Sequence, residues 1–405
     1  MESLKIEQLE LIVLIAALVA IIARRLKIPY TVGLVAAGIF VAFLPLEFEV
    51  KLSKELLFNI LLPPLIFEAA LYINWRELRK DLLVIATFAT VGVALSAGVT
   101  AVVMHFAANW LWSAAILFGV LIAATDPVSV IAAFKEAKVT GRLRLLVEAE
   151  SLFNDSTAAV AFVAASAFAV GETFSFGSAI WTMLLSIAGG IVCGAVVGCY
   201  SLLVIGRTRD HLVELAMTML AAYGSFGLAE HFHVSGILAA MTAGLLVGNL
   251  AVFGGVTTRG EGLIRDFWDF AAFVVNSIIF VILGISAASQ DLARPIIPII
   301  IAIAAVIIGR SIAVYPCSAL FRWSSLKVDK KHQHIMFWGG LRGALALALA
   351  LGIPDILPYR QEILTATFGV VAFSVFVQGF TITPLLSRLG QIKGKRKNAE
   401  SIETA

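Results

Sequence analysis

Apolar runs of helical length alternate along this chain with short polar connections. About thirteen can be drawn, at 8–24, 30–46, 54–73, 82–106, 111–134, 143–170, 176–205, 211–230, 233–252, 264–287, 295–320, 333–353 and 361–387. At ~1.5 Å per residue, runs of this size suit a hydrocarbon core of ~30 Å. The connections leave no room for a soluble domain, so the fold class is an all-α polytopic membrane protein. Two runs carry breaks. The fifth contains Thr125-Asp126-Pro127. Proline donates no backbone hydrogen bond and disfavours helix at the residue before it, while Asp before Pro suits the cap of a new helix. The twelfth contains Gly339-Gly340-Leu341-Arg342-Gly343. Spans 5 and 12 are therefore expected to be partly unwound. With an odd count, spans 1–6 and 8–13 would form two inverted six-helix repeats joined by span 7. If the gaps cross, Asp126 would compensate the positive half-helix ends and Arg342 the negative ones.

Composition supports the membrane assignment. The 405 residues are 60% hydrophobic and 14% charged, against about a quarter charged in soluble domains. The net charge of +3 gives no cue for nucleic-acid binding. Basic residues lie in alternate connections: Arg24, Arg25 and Lys27; Arg76, Arg79 and Lys80; Lys135, Lys138, Arg142 and Arg144; Arg207 and Arg209; Arg259 and Arg265; Arg322, Lys327, Lys330 and Lys331. The tail adds Arg388, Lys393, Lys395, Arg396 and Lys397. By the positive-inside rule the tail is cytoplasmic and the N-terminus outside. The first residues lack the basic start and small-residue cleavage site of a signal peptide, so the first span is expected to stay. Cys193, Cys199 and Cys317 fall in apolar runs and read as packing residues.

Candidate chemistry sits in Glu150-Ser151-Leu152-Phe153-Asn154-Asp155, inside the sixth run. Asp155 lies about 18 Å from that span's start, at a depth where a charge costs ~3 kcal/mol or more. Intramembrane acids mark ion and proton pathways. Ser151 shares a helical face with Asp155, whereas Glu150 points elsewhere and suits pairing with a buried arginine. The residues alone leave Arg310 and Arg342 open as that partner. Glu68, after Pro63-Pro64, is expected to line an inward-facing funnel; Glu148 is nearer the edge. Glu230-His231-Phe232-His233 has metal-like spacing but lies in a connection, where interfacial polar residues are ordinary. No metal cofactor is inferred.

An ordered set of motifs resembles the cation/proton antiporter superfamily, above all its NhaP-type sodium/proton antiporters, kin of the animal sodium/hydrogen exchangers. The set comprises Leu62-Pro63-Pro64-Leu65-Ile66-Phe67-Glu68-Ala69, Thr125-Asp126-Pro127-Val128, Glu150 to Asp155, Phe267-Trp268-Asp269-Phe270 through Asn276-Ser277, Gly309-Arg310, Gly339 to Ala344, and Phe376-Val377-Gln378-Gly379. The resemblance implies a homodimer in a lipid membrane. A dimerisation part (roughly 1–80 and 176–290) would support a moving core (roughly 81–170 and 295–390), followed by a short tail at 391–405. It implies that Na+ or Li+ is held by Asp155, Ser151, Glu68 and the Thr125 carbonyl, with no resident cofactor. It pairs Glu150 with Arg310, makes Asn154 a scaffold beside Thr125, and places Asn154-Asp155 in the electroneutral branch. No partner of a regulatory tail is implied. The expected function is Na+/H+ exchange by alternating access of an elevator type, with Asp155 carrying a proton or a cation in turn. Rivals are a K+/H+ antiporter of the same fold, a cation channel showing conductance without proton coupling, and an intramembrane protease using Asp126 and Asp155, which would cleave peptides.

Overall fold

The computed structural model describes residues 6–26, 28–44, 56–126, 130–131, 134, 139–171, 176–208, 210–250, 258–288, 296–354 and 356–391. Among them it is all-helical. In chain order the helices are α1 Ile6–Leu26, α2 Tyr30–Ala42, α3 Leu57–Leu71, α4 Trp75–Ala108, α5 Trp112–Leu121, α6 Arg142–Ala169 and α7 Phe176–Ile205. Then follow α8 His211–His231, α9 Gly236–Leu250, α10 Thr258–Ala288, α11 Ile296–Leu320, α12 Lys330–Trp338, α13 Ala344–Leu351 and α14 Arg360–Arg388. Seven of the described helices are long and apolar enough to cross a membrane by length and composition.

The ends differ from the apolar runs where local chemistry extends a helix. α4 begins seven residues before its apolar run, because Asn74 caps it by accepting from Arg76 N–H at 2.9 Å. Its first turns are amphipathic and hydropathy misses them. The unwinding expected in spans 5 and 12 is visible. α5 stops at Leu121 and residues 124–126 are not helical, although Pro127 lies outside the described residues. α12 and α13 are separate helices flanking a non-helical stretch at 340–343.

Packing divides the helices into two groups. α2 lies along α10, α3 along α9 and α10, and α7 along α9; α1 and α8 join this group. In the other, α4 lies along α5 and α11, α5 along α6, and α14 against α11 and α13. Contact between the groups is sparser, through α6 against α7 and α9, α10 against α13, and α2 against α14. Polar ties inside the first group join helices distant in sequence: Tyr30 Oη and Ser277 Oγ are 2.7 Å apart, joining α2 to α10. Apolar side chains such as Trp181, Leu184 and Val192 on α7 are exposed, as expected of a helix in an apolar surrounding.

At the basic end of the second group, Asp81 of α4 accepts three hydrogen bonds from Arg142 at 2.7–3.0 Å. Arg142 also donates to the carbonyls of Leu326 and Lys327. One guanidinium thus fixes the start of α6 to α4 and to the connection before α12. Sequence reading placed Arg142 in a basic loop and gave Asp81 no role.

Candidate functional site

The site is built where the two gaps meet α6. The main chain joins them directly: Asp126 N–H donates to Leu341 O at 2.7 Å. Ending a helix inside an apolar layer frees carbonyls that no water reaches, so each freed group needs a partner. The Arg342 guanidinium takes those at the end of α5, donating through Nη1 to Ala123 O at 2.5 Å and Ala124 O at 2.9 Å. Arg310 takes Met336 O near the end of α12, at 2.9 and 3.3 Å. Each cation thereby faces the negative end of a half-helix. The Asp126 side chain lies against Gly343, at the positive end of α13.

α6 supplies four polar side chains from little more than one turn. Glu150 and Asn154 lie four residues apart on one face; Ser151 and Asp155 share the next. Glu150 receives Arg310 in a two-pronged salt bridge, at 2.7 and 2.8 Å, with both residues buried. Asn154 uses both ends of its amide. Its Nδ2 donates to Glu150 Oε1 at 3.1 Å and Thr125 Oγ1 at 2.7 Å, and its Oδ1 accepts from Thr125 N–H at 3.2 Å. The hydroxyls of Thr125 and Ser151 are 2.9 Å apart.

Asp155 is different. It is buried, and its Oδ1 has no hydrogen-bond partner. The charges of Asp126, Glu150 and Arg342 act on it, and the Thr125 main chain lies beside it. The structure therefore gathers Asp155, Ser151, Thr125, Asn154, Asp126, Glu150, Arg310 and Arg342 at one crossing. Glu68 lies on α3, half-buried, where its charge acts on Tyr72 together with Asp269 and Arg265 of α10. Glu148 pairs with Arg144 at 2.5 Å.

Carboxylate and hydroxyl oxygens are hard donors, and among the described residues this set contains no sulfur or ring nitrogen. Such a set suits a small hard cation. Asp155 Oδ1 is the donor whose hydrogen-bonding capacity is unspent.

Two glycines make the crossing possible by close approach. A Cβ on Gly340 would strike the Arg310 guanidinium, and one on Gly343 would strike the Asp126 side chain. Gly340→Ala is therefore expected to displace Arg310 and to lower stability by about 1–3 kcal/mol, as overpacking does. Thermal unfolding of the purified protein measures this. A variant as stable as the parent would show that the guanidinium has room to move.

Sequence reading missed Ser374 and Gln378 on α14. Ser374 Oγ accepts from Arg342 N–H at 2.8 Å and donates to Gln378 Oε1 at 2.7 Å. Gln378 lies in a quoted motif but carried no role, because lone polar residues in an apolar helix have no diagnostic spacing.

Comparison with known proteins agrees with this architecture. A model of the family "Sodium/hydrogen exchanger, transmembrane" matches residues 12–388. The Na+/H+ antiporter ApNhaP of Aphanothece halophytica is 38% identical over 368 residues, covering 90% of this chain and 70% of that protein. The low-affinity Na+/H+ antiporter NhaS1 of Synechocystis is 35% identical, covering 99% of this chain and 78% of its own length. Among solved structures, the sodium proton antiporter MjNhaP1 of Methanocaldococcus jannaschii superposes with a TM-score of 0.77 at 21% identity, covering 95% of this chain and 98% of that one. That last likeness establishes the fold. Together with the family match and the two relatives, it leads to one assignment: this chain belongs to the sodium/hydrogen exchanger transmembrane family.

Proposed function

We propose that this protein exchanges Na+ or Li+ for H+ across the cell membrane, with Asp155 holding either the proton or the cation. The observation that carries the reading is the buried, partnerless Oδ1 of Asp155 beside the Ser151 and Thr125 oxygens. The Na+/H+ antiport named for its relatives supports the same substrate. A bare carboxylate crossing the apolar barrier costs ~3 kcal/mol or more, so movement requires neutralisation by one partner or the other. That condition alone couples the two flows.

One carboxylate would serve each cycle. Glu150 is engaged by Arg310, and the residue before Asp155 is the neutral Asn154. One cation would then replace one proton, and exchange is electroneutral. The group of α4–α6 and α11–α14 would move as an elevator against α1–α3 and α7–α10, the latter joined to a second copy. Glu68, on the stationary side, would line the cytoplasmic approach. In this reading each inverted repeat, spans 1–6 and 8–13, gives three spans to each group, with the N-terminus outside and the tail in the cytoplasm.

The test is exchange in proteoliposomes with an imposed pH gradient, adding Na+, Li+ and K+ in turn, with and without a clamp on membrane potential. Gradient collapse by Na+ or Li+, insensitive to the clamp, is expected. Collapse by K+ alone would keep the mechanism and change the substrate. Clamp-sensitive collapse would overturn electroneutrality, and conductance without proton movement would make the protein a channel.

A further inference from the structure

The stretch between α12 and α13 has more polar groups to satisfy than its own chain can provide. Gly339 N–H returns to Ile335 O at 2.7 Å and Leu341 N–H to Gly339 O at 2.8 Å. Three further groups find partners outside the stretch. Leu341 O is taken by Asp126 N–H from the opposite gap. The other two are met from one turn of α14. Arg342 N–H donates to Ser374 Oγ at 2.8 Å, and Trp338 O accepts from Gln378 Nε2 at 3.2 Å. Between them, Ser374 Oγ donates to Gln378 Oε1 at 2.7 Å. Both side chains are buried.

These bonds run in a fixed direction. The Ser374 hydroxyl has one proton and gives it to Gln378, so it must accept from Arg342. Gln378, accepting through oxygen, presents its NH2 to Trp338. One side chain therefore holds the rim at Trp338 and the other the rim at Arg342. The turn itself, Ser374–Gln378, is π-helical, a local departure often found at functional sites. Gln378 and Arg310 also share a cavity of about 10 Å³ over Gly340, room for one water at most. From Arg342 the chain of contacts continues to the carbonyls of Ala123 and Ala124, which immediately precede Thr125.

We propose that Ser374 and Gln378 are positioning residues for cation binding: by holding both rims of the broken span they fix Arg342, and through it the segment that carries Thr125 to Asp155. The inference rests on the reading of the Asp155 site as the cation site. Neither residue touches the cation. Loosening either would let Thr125 drift while leaving Asp155 free to take a proton, so cation affinity should suffer more than the rate at saturation.

The experiment compares Ser374→Ala, Ser374→Thr, Gln378→Met and the Ser374→Ala/Gln378→Met pair in proteoliposomes. The apparent KM for Na+ and Li+ is measured along with the maximal rate. The concentration of each ion giving half the thermal stabilisation of the purified protein reports binding without transport. Expected results are a rise of about tenfold in KM and in the half-stabilising concentration for Ser374→Ala and Gln378→Met, the size of one lost hydrogen bond. The maximal rate should stay within about twofold, and the Na+ to Li+ ratio should shift. The pair should be no worse than its weaker member, because both act through one chain. Ser374→Thr, which keeps the hydroxyl, should resemble the parent. Unchanged KM and ion ratio in folded variants would overturn the proposal. So would reduced stability with parental affinity in the protein that folds, or failure of every variant to fold, since either makes the role structural. Asp155→Asn is run alongside. Persisting exchange in that variant refutes the site reading itself; its loss, with parental KM in the α14 variants, refutes only this inference.

Discussion

Asp155→Asn should abolish cation-driven proton movement in proteoliposomes while leaving the protein folded. The substitution keeps the shape of the side chain and removes the charge. It deletes a buried carboxylate whose Oδ1 has no partner, so the thermal midpoint should hold or rise. Exchange should fall to that of protein-free vesicles, because an amide neither exchanges a proton near neutral pH nor neutralises a cation. The neutral side chain can still cross the membrane, and crossing alone moves nothing. For the parent, a penalty of ~3 kcal/mol on moving the bare carboxylate suppresses uncoupled crossing by about two orders of magnitude. Exchange surviving in Asp155→Asn at a sizeable fraction of the parental rate would place the proton elsewhere and end the single-carboxylate scheme.

The second large effect concerns stability. Arg310→Met should destabilise the protein by about 3–5 kcal/mol, because it strands Glu150 as an unpaired buried charge. Glu150→Leu alone should cost a similar amount by stranding Arg310. The double variant should be much less damaged than the two losses added together, since it removes both charges and leaves an apolar pair. Two groups would still be left short in it: Met336 O loses its donor, and Asn154 Nδ2 keeps only Thr125 Oγ1. Recovery is therefore expected to be partial. Thermal unfolding of the four proteins closes the cycle. Additive losses would mean that the salt bridge at 2.7 and 2.8 Å contributes no coupling.

How far the sequence could be read depended on the range of the interaction. Helix positions follow from hydropathy, because a lipid solvent forces every backbone group into a local hydrogen bond. The breaks at Asp126 and at Gly339–Gly343 were legible for the same reason: proline and clustered glycine act on the chain at their own position. The start of α4 was not, because an amphipathic first turn capped by Asn74 leaves no apolar signature. Pairing was harder. Glu150 plainly needed a cation, but Arg310 is 160 residues away and spacing along the chain says nothing at that distance. Only the family resemblance preferred it over Arg342. Thr125 was expected to act through its carbonyl; its hydroxyl is tied to Asn154 and Ser151, a contact that depends on how α6 crosses the gap. Glu68 shared a proposed ligand set with Asp155, yet belongs to the other helix group. Sequence depth gives both a place in the membrane and says nothing of which helix group each belongs to.

The π-helical turn of α14 has a further consequence for how this chain tolerates insertion and deletion. Removing one residue from 374–378 could restore an unbroken α-helix and would look harmless in so apolar a stretch. Because the wider π turn spreads one extra residue over about the same rotation, closing it would leave the helix beyond on nearly its present faces. Thr381, which now receives Trp338 Nε1 at 2.8 Å, would keep its side, while the spacing of Ser374 and Gln378 that meets Arg342 and Trp338 would be lost. A single-residue gap here would thus spare the far end of α14 and fall on the turn itself, the part that holds both rims of the broken span.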